Sequence, residues 1–169
     1  TPEMLLERAG VQRGELDLFD GSPPCSAFST AGKREEGWGK VKAYSDGAQR
    51  VDDLFYEYAR ILEGVQPKVF VAENVSGLVK GTAKGYFKRI LQALRDCGYN
   101  VKCRVLDARW LGVPQMRQRT IFVGVRNDLG LEPVHPKPFP YAYNVGDCLT
   151  PPPSDTTAKE LNRESETYR

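Results

Sequence analysis

Val69-Phe70-Val71-Ala72 is the stretch that most constrains how this chain can fold. A continuous apolar run of this kind, entered from Pro67, is typical of a parallel strand buried on both faces. Amphipathic helices flank it. Asp52 and Asp53 open one whose apolar face is Leu54, Phe55, Tyr58, Ile61 and Leu62, with Gly64 as its stop. The other turns Tyr86, Phe87, Ile90, Leu91 and Leu94 inward and is followed by Gly98. Thr1-Pro2-Glu3 starts an earlier helix, with a capping hydroxyl, proline at the first helical position and Gly10 to close it. Leu16–Phe19, Tyr99–Leu106 and Thr120–Val125 read as further strands. Helix alternating with strand predicts an open α/β sheet, in which ligands sit beyond the carboxyl ends of the strands.

A chain of 169 residues is one domain's worth, or a large piece of one. Its 40% hydrophobic and 27% charged content is that of an ordinary soluble globular protein. There is no apolar run of membrane-spanning length and no signal-peptide pattern at the start. The four cysteines (Cys25, Cys97, Cys103, Cys148) form no C-x-x-C pair and no metal-like spacing. They read as reduced thiols, so a cytoplasmic protein without a metal or a membrane partner is expected. A net charge of +2 argues for no partner by itself. Its distribution does: from Val101 to Arg126 there are six basic residues against Asp107 alone, a patch suited to phosphates or an ordinary solvated face.

Two regions break the pattern. Residues 20–50 lack periodicity and carry glycines at 21, 32, 37, 39 and 47, a connection long enough to be functional. Beyond Arg126, seven of the twelve prolines lie between Pro133 and Pro153, and residues 154–169 have no apolar face. That tail reads as a linker or the start of a further domain.

Pro23-Pro24-Cys25 sits where the Leu16–Phe19 strand gives way to the glycine-bearing stretch. Two prolines fix the backbone direction and remove donors, so the thiol that follows reads as aimed, though free cysteine is often a buried small hydrophobe. Glu73 closes the Val69–Ala72 run, and Gln115-Met116-Arg117-Gln118-Arg119 is expected just past another strand end. With adjacent parallel strands, Cys25 and Glu73 would open into one cleft. A thiol, a carboxyl and a guanidinium there suggest covalent addition to a polarised heterocycle. Taken singly, Glu73 could be a neighbour of a helix cap, Arg117 and Arg119 alternate exposed positions, and Ser29 a loop hydroxyl. The one histidine, His135, lies among prolines and reads as a surface loop residue. A Cys–His hydrolase and a clustered zinc site are both excluded.

Gly21-Ser22-Pro23-Pro24-Cys25-Ser26-Ala27-Phe28-Ser29, Glu73-Asn74-Val75 and Gln115-Met116-Arg117-Gln118-Arg119 resemble, in order and separation, the three catalytic motifs of the cytosine-C5 DNA methyltransferases. The resemblance covers most of Glu15 to Asp128. It implies a partial S-adenosylmethionine-dependent methyltransferase sheet, Rossmann-like, with flanking helices. Residues 1–128 would form the central and C-terminal part of the catalytic domain. Residues 129–169 would be a proline-rich linker and the start of a target-recognition region.

The resemblance also implies roles. Cys25 would add to C6 of a cytosine flipped out of double-stranded DNA, making C5 nucleophilic toward the methyl sulfonium of S-adenosylmethionine. Glu73 would hold the N3 and N4 edge, Arg119 the O2 edge, and Arg117 the loop or a phosphate. Pro24, Asn74 and Gln115 would shape the site. The loop from Ser26 to Arg50 would close over DNA, with Ser29, Lys33 and Arg34 on phosphates. Of the cofactor contacts, only Pro23 and Leu54 are carried over, because no glycine-rich strand-to-helix turn precedes Cys25. The fragment is therefore expected to be inactive alone, of bacterial or phage type, with a bared Leu16–Phe19 edge open to self-association. A tRNA cytosine-C5 methyltransferase and a non-catalytic DNA-binding or regulatory fragment are the competing readings. Two residues depart from the family pattern: Ser22 stands for a glycine and Ser26 for a glutamine. Neither is expected to touch the thiol or the carboxyl.

Overall fold

The computed structural model describes residues 1–23, 42–44, 47–49, 54–79 and 84–149. Helix α1 (Pro2–Ala9) starts as its sequence dictates: Met4 N donates to the Thr1 hydroxyl, and Gly10 ends the helix at φ 65°. Strand β1 (Leu18–Gly21) begins two residues later than its apolar run and outlasts it. Leu16 and Asp17 do lie against the neighbouring strand, accepting from Lys68 N and Val69 N at 2.8 and 3.0 Å, but the regular ladder starts only at Leu18. Asp20 and Gly21, poor strand formers, are carried along by the strand they pair with. The long connection holds an antiparallel pair that its composition hides, β2 (Lys42–Tyr44) and β3 (Gly47–Gln49).

Helix α2 (Leu54–Val65) buries Phe55, Tyr58, Ala59, Leu62 and Val65. It runs through Gly64, and the left-handed turn is taken by Gln66 at φ 51°, whose N–H returns to Leu62 O. Strand β4 (Val69–Val75) alternates half-buried and buried residues, so only one of its faces is fully covered. Helix α3 (Lys84–Asp96) buries Tyr86, Ile90 and Leu94, and strands β5 (Tyr99–Asp107) and β6 (Gln118–Arg126) follow.

The sheet order is β1-β4-β6-β5, with β1 at one edge and parallel to β4. Strand β6 alone reverses that sense. Arg126 N donates to Lys68 O at one end of β4, and the Thr120 hydroxyl to Val75 O at the other, so β6 runs antiparallel to β4. Asn127 N to Gly98 O and Ala108 N to Arg117 O make β5 and β6 antiparallel as well.

The chain divides into two units. The first, Thr1–Arg104 with Thr120–Val134, holds the core of Phe55, Leu62, Phe70, Leu94 and Phe122 between α2, α3 and the sheet. Its aromatic rings meet edge to face, Phe70 on Tyr99 at 5.1 Å and Phe55 on Phe122 at 5.5 Å. Gly124 leaves the slot that Phe70 fills: a Cβ there would lie 2.0 Å from the ring. Arg126 fastens one end of the unit, donating to Gln66 O at 2.6 Å, to Gly14 O at 3.1 Å and to the Asp128 carboxylate.

The second unit is Val105–Arg119 with His135–Arg169. Its described part is organised by Ala108–Leu111, a single 3-10 turn to which the backbone of Phe139 and Tyr143 is bonded through Trp110 O and Arg109 O. Phe139 stacks on Tyr141, and Tyr143 meets Phe139 edge to face and Tyr141 at a tilt. Asn144 and Asp147 exchange side-chain and backbone bonds, a reciprocal box that starts the short helix α4 (Val145–Leu149). His135 is buried, at 6% exposure, where its proline surroundings suggested a surface loop. Pro133 and His135 are buried and Val134 is exposed, the alternation of an extended segment with one face turned inward.

Candidate active site

The carboxyl ends of β1 and β4 bring two of the three sequence motifs together. Gly21 pairs with Ala72, so the next residues in each strand, Ser22 and Glu73, lie side by side. The Ser22 hydroxyl donates to Glu73 Oε2 at 2.7 Å. One residue further, Asn74 Nδ2 donates to Pro23 O at 3.0 Å, while its Oδ1 accepts from Val75 N at 2.9 Å. The reason is backbone bookkeeping. Beyond Gly21 the ladder stops, so the carbonyl of buried Pro23 needs a donor from outside the regular pairing. Asn74, only 3% exposed, supplies the missing donor from its side chain.

Tyr58 of α2 sets the end of β1 from below. Its ring stacks on Phe19 at 5.3 Å, its hydroxyl donates to Val71 O at 3.2 Å, and a Cβ on residue 21 would lie 2.4 Å from it. Glycine is thus required at position 21 by close approach. Burial raises the Tyr58 phenol above the ordinary tyrosine range, so it stays a neutral donor.

Glu73 and Asn74 lie inside β4 rather than past its end, as their polarity had suggested. Glu73 is half-buried and Pro23 buried; Leu54, half-buried, is the first residue of α2. Pro24, Cys25, Ser29, Lys33 and Arg34 lie outside the described residues. The basic segment does follow β5 and a turn, but its last two residues, Gln118 and Arg119, already belong to β6. Arg119 is half-buried and donates to Gln118 O at 2.8 Å; Arg117 and Gln115 are exposed. Thr120, the residue after Arg119, is fully buried, and its bond to Val75 O ties the start of β6 to the end of β4.

Within the second unit the approach to Gln115 is tightly turned. Gln115 N donates to Val113 O at 2.7 Å across Pro114, and Val113 N to Ala108 O at 3.1 Å. Asp107 accepts from Arg109 N, and its other oxygen faces Arg109 Nε at 3.6 Å, an ion pair too long to be a hydrogen bond.

Ser22, Thr120 and Tyr58 are the residues sequence reading passed over. Ser22 was expected to touch neither the thiol nor the carboxyl, yet it bonds the Glu73 carboxylate. The adjacency of two strand ends, each carrying a motif, was the signal available for it.

A family model described as C-5 cytosine-specific DNA methylase matches residues 6–168. The chain belongs to this family. Among curated members it is 36% identical over 150 residues to the Type II methyltransferase M.MthTI of Methanothermobacter thermautotrophicus, covering 87% of this chain and 42% of that protein. It is 35% identical over 163 residues to M.XorII of Xanthomonas oryzae pv. oryzae, covering 95% of this chain and 35% of that one. This member therefore spans about two fifths or less of the relatives it matches. The fold agrees with that of a DNA modification methyltransferase encoded within an Escherichia coli prophage (TM-score 0.61, 22% identity, 90% of this chain and 39% of that one). Spodoptera frugiperda DNMT2 shares it too (TM-score 0.56, 22% identity, 92% and 44%). Among the described residues of this family member, no helix is long and apolar enough to cross a membrane. Nor do they group three or more His, Cys, Asp or Glu side chains as a metal site would.

Proposed function

We propose that this chain carries the catalytic chemistry of a DNA cytosine-C5 methyltransferase of the restriction-modification or prophage type, acting in the cytoplasm. Cys25 is the nucleophile and Glu73 the acid that holds the base. The observation that carries this reading is the β1–β4 junction, where Ser22 and Pro23 are tied to Glu73 and Asn74 by bonds of 2.7 and 3.0 Å. Cys25 follows Pro23 by two residues, so covalent geometry alone keeps their Cα atoms within about 7.6 Å.

The target base is inaccessible inside a duplex and must be flipped out. The Cys25 thiolate then adds to C6, and the electrons of the C5–C6 double bond pass to C5. S-adenosylmethionine, when bound, supplies the electrophilic methyl group that C5 takes up. Loss of the C5 proton to a base returns the C5–H electron pair to the ring and expels the sulfur of Cys25. Cysteine suits both halves, being a strong nucleophile and a tolerable leaving group. Glu73 grips N3 and N4, Arg119 the O2 edge, and Arg117 supports the loop or a phosphate. Ser29, Lys33 and Arg34 contact DNA phosphates. Pro23 and Leu54 are the residues of this chain that would contact the methyl donor. Residues 1–128 supply the catalytic part and 129–169 lead toward the element that reads the target sequence.

The deciding experiment incubates the complete gene product with S-adenosylmethionine and a duplex carrying 5-fluorocytosine, which has no C5 proton to lose. A denaturation-resistant protein–DNA adduct on Cys25, lost in Cys25→Ala, is expected. Absence of the adduct overturns the reading, and faster methylation of tRNA than of duplex DNA replaces it with the tRNA one.

A further inference from the structure

We infer that Ser22 is a positioning residue for the reaction, orienting the Glu73 carboxyl before the base arrives. The inference rests on the catalytic reading of Glu73 given above.

Three observations lead to it. The hydroxyl of Ser22 lies 2.7 Å from Glu73 Oε2, well within the range of a strong hydrogen bond to a carboxyl oxygen. The backbone beneath that bond is fixed independently: Gly21 is pinned against Tyr58, and the Pro23 carbonyl is held by buried Asn74. Ser22 is therefore clamped on both sides by neighbours that do not depend on its own side chain. Finally, Ser22 is exposed and its hydroxyl is not needed to satisfy a buried group of the core. Its visible work is on Glu73.

The chemistry follows from the geometry. A glutamate has three side-chain torsions, and the plane of its carboxyl is the softest of them. To meet the N3 and N4 edge of a planar base, that plane must coincide with the plane of the ring. A serine reaches the carboxyl with a single torsion, so the bond costs little side-chain entropy and removes one freedom that base binding would otherwise have to remove. Glycine, which the family pattern places at this position, has no such group. The hydroxyl of Ser22 makes an orienting contact that a glycine at this position could not make.

The test is a double-mutant cycle on the complete gene product, read as single-turnover methylation of duplex DNA at saturating DNA and S-adenosylmethionine. Ser22→Ala is expected to lower the rate about tenfold, the size of one lost hydrogen bond, with the DNA dissociation constant unchanged within about twofold. Ser22→Thr, which keeps the hydroxyl, restores most of the rate. In a Glu73→Gln background, Ser22→Ala causes no further loss, because its partner is already altered. If Ser22→Ala slows the reaction equally with and without Glu73, or not at all, the positioning role is overturned. If Glu73→Gln itself leaves the rate intact, the catalytic reading of Glu73 fails instead, and the two failures are told apart.

Discussion

At the ends of β1 and β4, buried side chains and two side-chain hydrogen bonds define where the backbone goes. Around Trp110, the chain is held by two backbone bonds and by rings that stay half open to solvent. Asn74 is 3% exposed, whereas Phe139 is 47% and Met116 73% exposed. In the first region Asn74 and Gly21 each have one place they can be, because moving Asn74 would strand a buried polar atom and a side chain at 21 would run into the Tyr58 ring. In the second, loss of a contact is met by water. A site that must hold two reacting groups within a fraction of an ångström belongs on the first kind of support.

The contrast is broken most directly by truncating one ring in each region. Phe122→Ala, in the core of the first unit, should cost about 3–5 kcal/mol in denaturant unfolding, while Phe139→Ala should cost under about 1 kcal/mol. Equal losses would mean that the aromatic group of the second unit is as well packed as the core. Next comes the junction itself. Asn74→Ala should lower stability by about 1–3 kcal/mol, because it leaves the Pro23 carbonyl buried and unbonded, and the same measurement on Ser22→Ala should show almost no change.

Thiol chemistry sharpens the comparison further. Burial pushes Cys97 up to about 11 and Cys103 up to about 12. At pH 8 each is then ionised in roughly one molecule per thousand or fewer, and the thiolate is the reactive form. Brief alkylation mapped by mass spectrometry should modify exposed Cys148 well before either of them. Early modification of Cys97 would show that the α3–β5 turn opens readily.

The smallest effect is expected at Asp128. The Arg126 guanidinium, bonded to it at 2.7 and 3.1 Å, holds its carboxyl below the ordinary aspartate range. A lowered folded value means the contribution is present above the ordinary aspartate pKa and lost as pH falls through the folded value. Asp128 is exposed, so Asp128→Asn should shift stability slightly at neutral pH, less in high salt, and not at all in strong acid. A difference that persists at pH 2 would point to packing instead.

The sequence made the helices legible because their signals are local: Thr1 and Gly10 bracket α1, and the apolar spacing of Tyr86, Ile90 and Leu94 gives the inner face of α3. Strand ends were less legible, since β1 and β4 are extended by each other and not by their own composition. That is why Glu73 and Asn74 fall inside β4. The reversed sense of β6 is likewise a property of pairing. The motifs themselves could be read, and so could the neighbourhood of two of them. The bond from Ser22 could not, because it joins residues 51 positions apart through a register that only the folded sheet defines.

The slot at Gly124 has one more implication. Phe70 occupies the volume that any side chain at position 124 would need, so the two positions form a size-matched pair across adjoining strands. Drift at either one is blocked unless the other shrinks in the same step. A homologue bearing alanine or serine at 124 should therefore carry a smaller residue than phenylalanine at 70, and swapping only one member of such a pair between homologues should unfold the recipient.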